Sequence, residues 1–452
     1  MTTKRKGLRV ALLAGLLAVF PAQARVSPQE AARLGVELTP VGAEKAANKD
    51  GSIPAWTPGK QRGNLSGEFY SDSVIDAEQP LQVITTANMS RFQDKLSEGH
   101  KKLLATHPTY KMMVYPGHRP VAMPPEIYAS TKENAGNCEL FGVEDLDGCR
   151  MGFPFPIPKT GPEPIWNHKL RWRGETVQRY NNQMIVQPDG QYQLTKIVED
   201  VQFTYGSIKA PLILHRGEGD FLKYLASTVA PPRVAGTTIL VHDKAGTGSE
   251  GRAAWIYTPT LKRVRRAPTV CCDNPAEGTD GHQFYDQVDT FNGTLERYSW
   301  KLVGKKELYI PYNSHKIGSN RIRFSQLPKP KHLNQDLARY ELHRVWVVEA
   351  DLRPGQSHTF KKRRFYLDED GWNIVLVDNY NNRGELQQFQ EGHTQFGYNI
   401  LASSAAPEVI YHFESGRYFI TAMFNEDKPY NFTLQYKPEF FTSATVQKRV
   451  TK

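Results

Sequence analysis

The chain has 452 residues, with 57 Lys and Arg against 47 Asp and Glu and a formal net charge of +10. Setting aside a basic leader of 24 residues leaves 428 residues at a net charge of +6, enough for one large or two to three ordinary domains. An excess that small is consistent with attraction to anionic head groups, and equally with solubility alone. Outside the cytoplasm, functions that draw on ATP, NAD pools or nucleic acid are excluded.

The leader is the first element in chain order. Lys4, Arg5, Lys6 and Arg9 precede an apolar run over 10–20, and Ala22-Gln23-Ala24 forms a small-x-small site. This pattern predicts a secretory signal peptide over 1–24, cleaved after Ala24, and a periplasmic mature protein. The apolar run is too short to cross a bilayer as a helix, so no membrane span is predicted. No Cys follows the site closely, which argues against a lipid anchor.

Residues 25–175 read as an N-terminal arm with short helices and a Pro-rich strap. Ser27-Pro28-Gln29-Glu30 is a helix start that Gly35 stops. Apolar residues at helical spacing predict a helix over 86–106, and another is expected over 125–135. Prolines at 154, 156 and 158 alternate with Phe153, Phe155 and Ile157. That run must be extended, and its aromatics are expected to pack on the body.

From 176 to 452 the pattern changes to strands, packed with the preceding segment as one domain. Strands are predicted at 176–186, 191–204, 220–229, 237–243, 252–258, 261–266, 296–310, 338–352, 358–368, 372–381 and 410–421. Asp189-Gly190, Pro259-Thr260 and Asp370-Gly371 mark hairpins. The fold class is mainly β: a large curved antiparallel sheet or half-open barrel with a few helices on its concave face. Two helices are few for so broad a sheet, which points to an apolar cavity.

Four cysteines allow three pairings. A bridge from Cys138 to Cys149 would close a short loop, while Cys271 and Cys272 remain open between a vicinal bond and other partners. The letters GTGSEG at 246–251 match a dinucleotide fingerprint, but strand-like residues follow where a helix must begin. HExxH, GxSxG and CxxCH are missing from the sequence, so no catalytic residue, metal or cofactor is assigned. The basic run at 262–266 places Arg263 and Arg265 on one strand face, suited to an anionic head group.

Longer strings carry a resemblance. GAEKAANKDGSIPAWT (42–57), GFPFPIP (152–158), IWNHKLR (165–171), WIYTPTLKRVRRAP (255–268), the run at 289–313, HRVWVVEADL (343–352) and RRFYLDEDGW (363–372) resemble an exported proteobacterial family, domain-of-unknown-function family 1329. The resemblance implies a fold similar to the LolA/LolB lipoprotein-sorting carriers, with a sheet around an apolar cavity. It also implies association with an RND-type exporter and an outer-membrane protein. Cys271-Cys272 just after RRAP departs from the pattern and puts the local geometry of the basic hairpin in doubt.

The expected function is therefore a periplasmic carrier for a lipid-like ligand. Leu222, Tyr224, Leu240, Trp255, Tyr257, Trp300, Tyr309, Trp346, Val348 and Trp372 are the cavity candidates. One rival is an interaction scaffold with a filled core. The other is a secreted hydrolase built on His282, Asp286 and Asp289.

Overall fold

The computed structural model describes residues 26–59, 73–246 and 251–450. The signal peptide read over 1–24 lies outside them, as does most of the glycine-rich run at 246–251.

The N-terminal third supplies cover more than sheet. Helix α1 (Pro28–Ala31) begins with the Ser27–Glu30 capping box read from the sequence. After α2 (Ser73–Asp76) and β1 (Gln82–Ile84), the helix expected over 86–106 divides into a 3₁₀ turn (Met89–Lys95) and α3 (Glu98–Thr106). Leu96 is extended between them, and Ser97 caps α3 by accepting from His100 N–H. Gly99 lets α3 close onto the sheet, because a Cβ there would lie 1.9 Å from the Phe389 ring.

Strand β2 (Met112–Val114) leads to α4 (Pro125–Asn137) and three short strands, β3 (Glu139–Phe141), β4 (Asp145–Asp147) and β5 (Cys149–Arg150). The Cys138–Cys149 disulfide forms as expected across this loop. Next comes α5 (Pro162–Leu170), every residue of which is buried. Asn167 of α5 clamps the Pro-rich strap: Phe155 N–H donates to its Oδ1 at 2.8 Å, and its Nδ2 donates to Phe155 O at 2.7 Å.

The strand of 176–186 is two, β6 (Thr176–Tyr180) and β7 (Asn182–Val186), followed by β8 (Tyr192–Gln202), β9 (Ile213–Leu214), β10 (Asp220–Ala230), β11 (Thr238–Lys244), β12 (Arg252–Thr258) and β13 (Arg263–Arg266). The C-terminal half is a meander of β14 (Tyr298–Pro311), β15 (Tyr340–Leu352), β16 (Lys362–Asp368), β17 (Ile374–Tyr380), β18 (Leu386–Gly397), β19 (Ala402–His412) and β20 (Tyr418–Met423), closed by α6 (Ser443–Val450). The segment read as one strand over 410–421 spans the β19–β20 turn, where Gly416 takes φ 66°.

Among the described residues, sixteen strands join in one sheet, ordered β1-β2-β15-β16-β17-β18-β19-β20-β7-β8-β10-β11-β12-β13, with β14 on β15 and β6 on β8. Its pairs are antiparallel save for a single parallel contact between Val114 and Tyr340, so the sheet is mixed, and it does not close into a barrel. The main core packs the N-terminal arm and α3 against β14–β18, with Val41, Ile53 and Leu103 meeting Val345, Trp372 and Phe389.

At the Asp370-Gly371 hairpin the left-handed residue is Trp372 (φ 57°), not the glycine. A bulky residue there is strained. Burial offsets the strain, since Trp372 stacks on Trp346 at 6.1 Å and donates from Nε1 to Val41 O at 2.9 Å.

Candidate functional site

The cavity in the β6–β12 half of the sheet follows from strand parity. Tyr224 of β10 sits opposite Val201 of β8 and Val241 of β11, and Ala226 sits opposite Glu199 and Ile239. Directly opposed residues point to the same face. Ile197, Val201, Leu222, Tyr224, Ile239 and Val241 thus form one apolar surface, and a cavity of about 130 Å³ lies on it. Segment 270–292 covers the cavity with Val270, Tyr285, Val288 and Phe291.

That cover holds four non-glycine residues at positive φ: Cys272, Asp280, Asp289 and Thr290. Strain of this kind persists only where the surroundings fix it. Here Asp289 is held by Arg171 and by Arg173, the latter at 2.6 Å. Its carbonyl accepts from His168 Nε2 at 2.9 Å, while His168 Nδ1 accepts from Ile374 N–H at 3.0 Å. Those two bonds fix a neutral His168. Burial and the neighbouring Arg171 push its pKa down to about 3.

The polar end of the cavity is rich in cations. Lys169, Arg173, Arg179 and Arg252 all line it. Arg252 makes a two-point pair with Asp243, its cross-strand neighbour, at 2.6 and 2.8 Å. Arg179 donates to Glu199 at 2.7 Å, and Glu199 also accepts from Tyr224 and Asn181, each at 2.6 Å. Among the described residues Arg173 Nε, shielded from solvent, has no hydrogen-bond partner, and burial lowers its pKa to about 9 despite Asp289.

The ten predicted cavity residues separate by position. Leu222 and Tyr224 line the cavity. The register Leu225↔Leu240↔Trp255 puts Leu240, Trp255 and Tyr257 on the opposite face, where they pack with Phe441 and Val446 from the C-terminal segment. Trp300 stands behind the wall, 5.9 Å from Phe291. Val348 is a core residue of β15, and Trp346 and Trp372 stack in the far half. Tyr309 packs there on Phe92. Arg263 and Arg265 are exposed on the edge strand β13, outside the cavity lining.

Lys169, Arg173, Arg179, Ile239 and Val241 escaped the sequence reading. Alternation along β11 was the available signal for the last two, once registered against Tyr224. His282, Asp286 and Asp289 do not converge. Asp286 pairs with His358 and Arg363, Asp289 with Arg171 and Arg173, and His282 packs on His412 at 4.9 Å.

Cys271 and Cys272 are free thiols with Sγ atoms 3.0 Å apart. Donation from Cys272 and the nearby Arg297 and Arg252 pull Cys271 down to about 6, while Cys272 is pushed up. Among the described residues, His343, Asp368 and Asp370 are the group with metal-like spacing, their ligand atoms within 4.8 Å of one another. Arg119 occupies both oxygens of Asp370 at 2.7 and 2.9 Å, and His343 Nε2 lies 3.1 Å from Glu341. The cluster is a buried ion network, in which burial and the Asp370 charge raise Asp368 to about 7.

The family model for proteins of unknown function, DUF1329, matches residues 83–447. The chain belongs to this family. An uncharacterized protein of Pseudomonas aeruginosa PAO1, PA3922, is 40% identical over 452 residues, covering 99% of each chain. Among solved structures, a domain from Vibrio parahaemolyticus named for outer membrane lipoprotein sorting matches at TM-score 0.42 and 17% identity, over 63% of this chain and 97% of that one. A DUF1329 protein from Desulfovibrio piger matches at TM-score 0.41 and 12% identity, covering 61% and 92%. A LolA superfamily protein from Nitrosomonas europaea gives 0.37 and 12%, covering 63% and 98%. All three scores fall below 0.5, and the fold described above stands on strand register alone.

Proposed function

We propose that this DUF1329 protein is a periplasmic carrier of a hydrophobic, lipid-like molecule that binds on the concave face of β8–β11. One observation carries the reading: the sheet leaves an apolar cavity under segment 270–292 where a filled core would otherwise be. A cavity of about 130 Å³ is close to the roughly 150 Å³ engineered hole that takes up benzene. It therefore encloses part of a chain while the rest leaves through the open side. Each enclosed methylene contributes about 0.8 kcal/mol.

Export is supported by the leader pattern at 1–24. Among the described residues no helix is long and apolar enough to cross a membrane. Handover between an RND-type exporter and an outer-membrane protein is the working context of this proposal. Chemistry at the site is not part of it, because the carboxylates of Asp243, Glu199 and Asp289 are committed to arginines.

The test is native mass spectrometry of full-length protein purified from cell envelopes, with solvent extraction of whatever is bound. Co-purified lipid near one per chain, lost in Ala226→Trp with an unchanged circular dichroism spectrum, is the expected result. A bare mass and no uptake from a lipid panel would overturn the carrier reading.

A further inference from the structure

The charges around the cavity do not balance. Arg252 with Asp243 and Arg179 with Glu199 are one-to-one pairs. Asp289 serves two guanidiniums, Arg171 and Arg173. Lys169, only 9% exposed, has no carboxylate within 4.0 Å among the described residues. Its ammonium donates to Gly293 O at 2.8 Å and lies 4.5 Å from the Trp166 ring centre. Counted with Arg171 and Glu199, which are not themselves lining residues, the group holds five cations against three anions, all buried or half-buried.

Nearby carboxyls do not restore the balance. Glu408 accepts from Thr290 N–H at 2.9 Å, and burial with the Asp289 charge raises its pKa to about 8, so it is mostly protonated at neutral pH. Glu144 is not among the lining residues, and its Oε1 already accepts from Thr294 and Leu295. Glu277 is exposed at the rim. Unpaired buried charge is costly, and a neutral occupant would leave that cost in place.

We infer that the cavity takes an anionic amphiphile, whose carboxylate or phosphate group meets Lys169 and Arg173 while its apolar part lies on Phe221, Ile239 and Val241. This deepens the carrier reading and rests on it. Lys169 has two ammonium protons beyond its bond to Gly293, and the buried Nε–H of Arg173 has no partner among the described residues. Arg173 is braced for the role, with its guanidinium 4.5 Å from the Phe203 ring centre and one edge on Asp289. The head-group site therefore sits inside the sheet, at the junction of α5 with β6.

The experiment is titration calorimetry of the full chain with four probes of one chain length: dodecanoate, dodecyl phosphate, dodecanol and dodecyltrimethylammonium. Both anions are expected to bind at least tenfold more tightly than dodecanol, and the cation least. The tighter anion distinguishes a fatty acid from a phosphate ester. Lys169→Met and Arg173→Met should each shrink the preference for anions over dodecanol severalfold, and Lys169→Arg should restore it. Dodecanol binding as tightly as the anions, or a preference that survives both methionine variants, would overturn the head-group assignment alone. If none of the four probes binds, the carrier reading fails with it.

Discussion

One sheet is covered in two ways. Along β20 every residue is buried, and along β17 all but Tyr380 are. Along β12 only Ala254 and Tyr257 are. In the first half the N-terminal arm and α3 fill the space against one face, and buried polar networks such as His100 with Glu391 (2.7 Å) fill what remains. In the second half the concave face meets the end of α5 and the strained segment 270–292, and the cavity is what that cover leaves. A site arises here from an incomplete layer of packing, without any break in the strands.

The contrast can be broken first in the packed half. Trp372→Ala should cost about 3–5 kcal/mol, the usual range for a buried tryptophan, read as a lower urea midpoint. Replacing Cys138 and Cys149 together by Ser should cost about 3 kcal/mol by loop entropy for a short ring, seen in the same assay without reductant.

A matched pair sharpens the comparison. Ala350→Leu adds bulk where Ala350 is fully buried and should cost about 1–3 kcal/mol. Ala226→Leu points into the cavity and should cost less than about 1 kcal/mol, filling space instead of creating strain. Equal losses in the two variants would mean that the cavity closes in solution.

A pH slope gives a separate reading of the cavity half. Glu408 has a folded pKa of about 8, above its unfolded 4.5. Between those values the unfolded chain ionises while the native carboxyl stays protonated, so this group lowers stability as pH rises. Glu408→Gln keeps an acceptor for Thr290 and should flatten that part of the melting-temperature profile between pH 5 and 8. A profile unchanged from the parent would place the Glu408 pKa elsewhere.

Much of the fold could be read from the chain because hairpin turns and alternation are local. The Asp189-Gly190 turn, with Gly190 at φ 91°, joins β7 to β8 as expected. Strand β18 was missed because its Gln, Glu, His and Thr residues look like a solvated loop. They are buried through bonds such as Gln390 to Asn379 and Gln287. Helix α5 was missed for a related reason: a helix buried on all sides has no polar face to reveal its period. The site suffered more than the fold. Choosing aromatics by residue type mixed both faces of β11 and β12, since only register separates Tyr224 from Trp255. The cations depend on α5, which was itself unseen.

The join between β7 and β20 sets an order of events. Tyr418 pairs with Val186 and Ile420 with Met184, across more than two hundred residues of chain. As the polypeptide emerges from its N-terminus, β6–β13 can pair among themselves, but the free edge of β7 has to wait until almost the entire chain has appeared. Closing so large a loop is slow. Until then the cavity half presents an unpaired strand and an uncovered apolar face to its surroundings. Nascent chains at this stage are the form most exposed to aggregation and most in need of an escort.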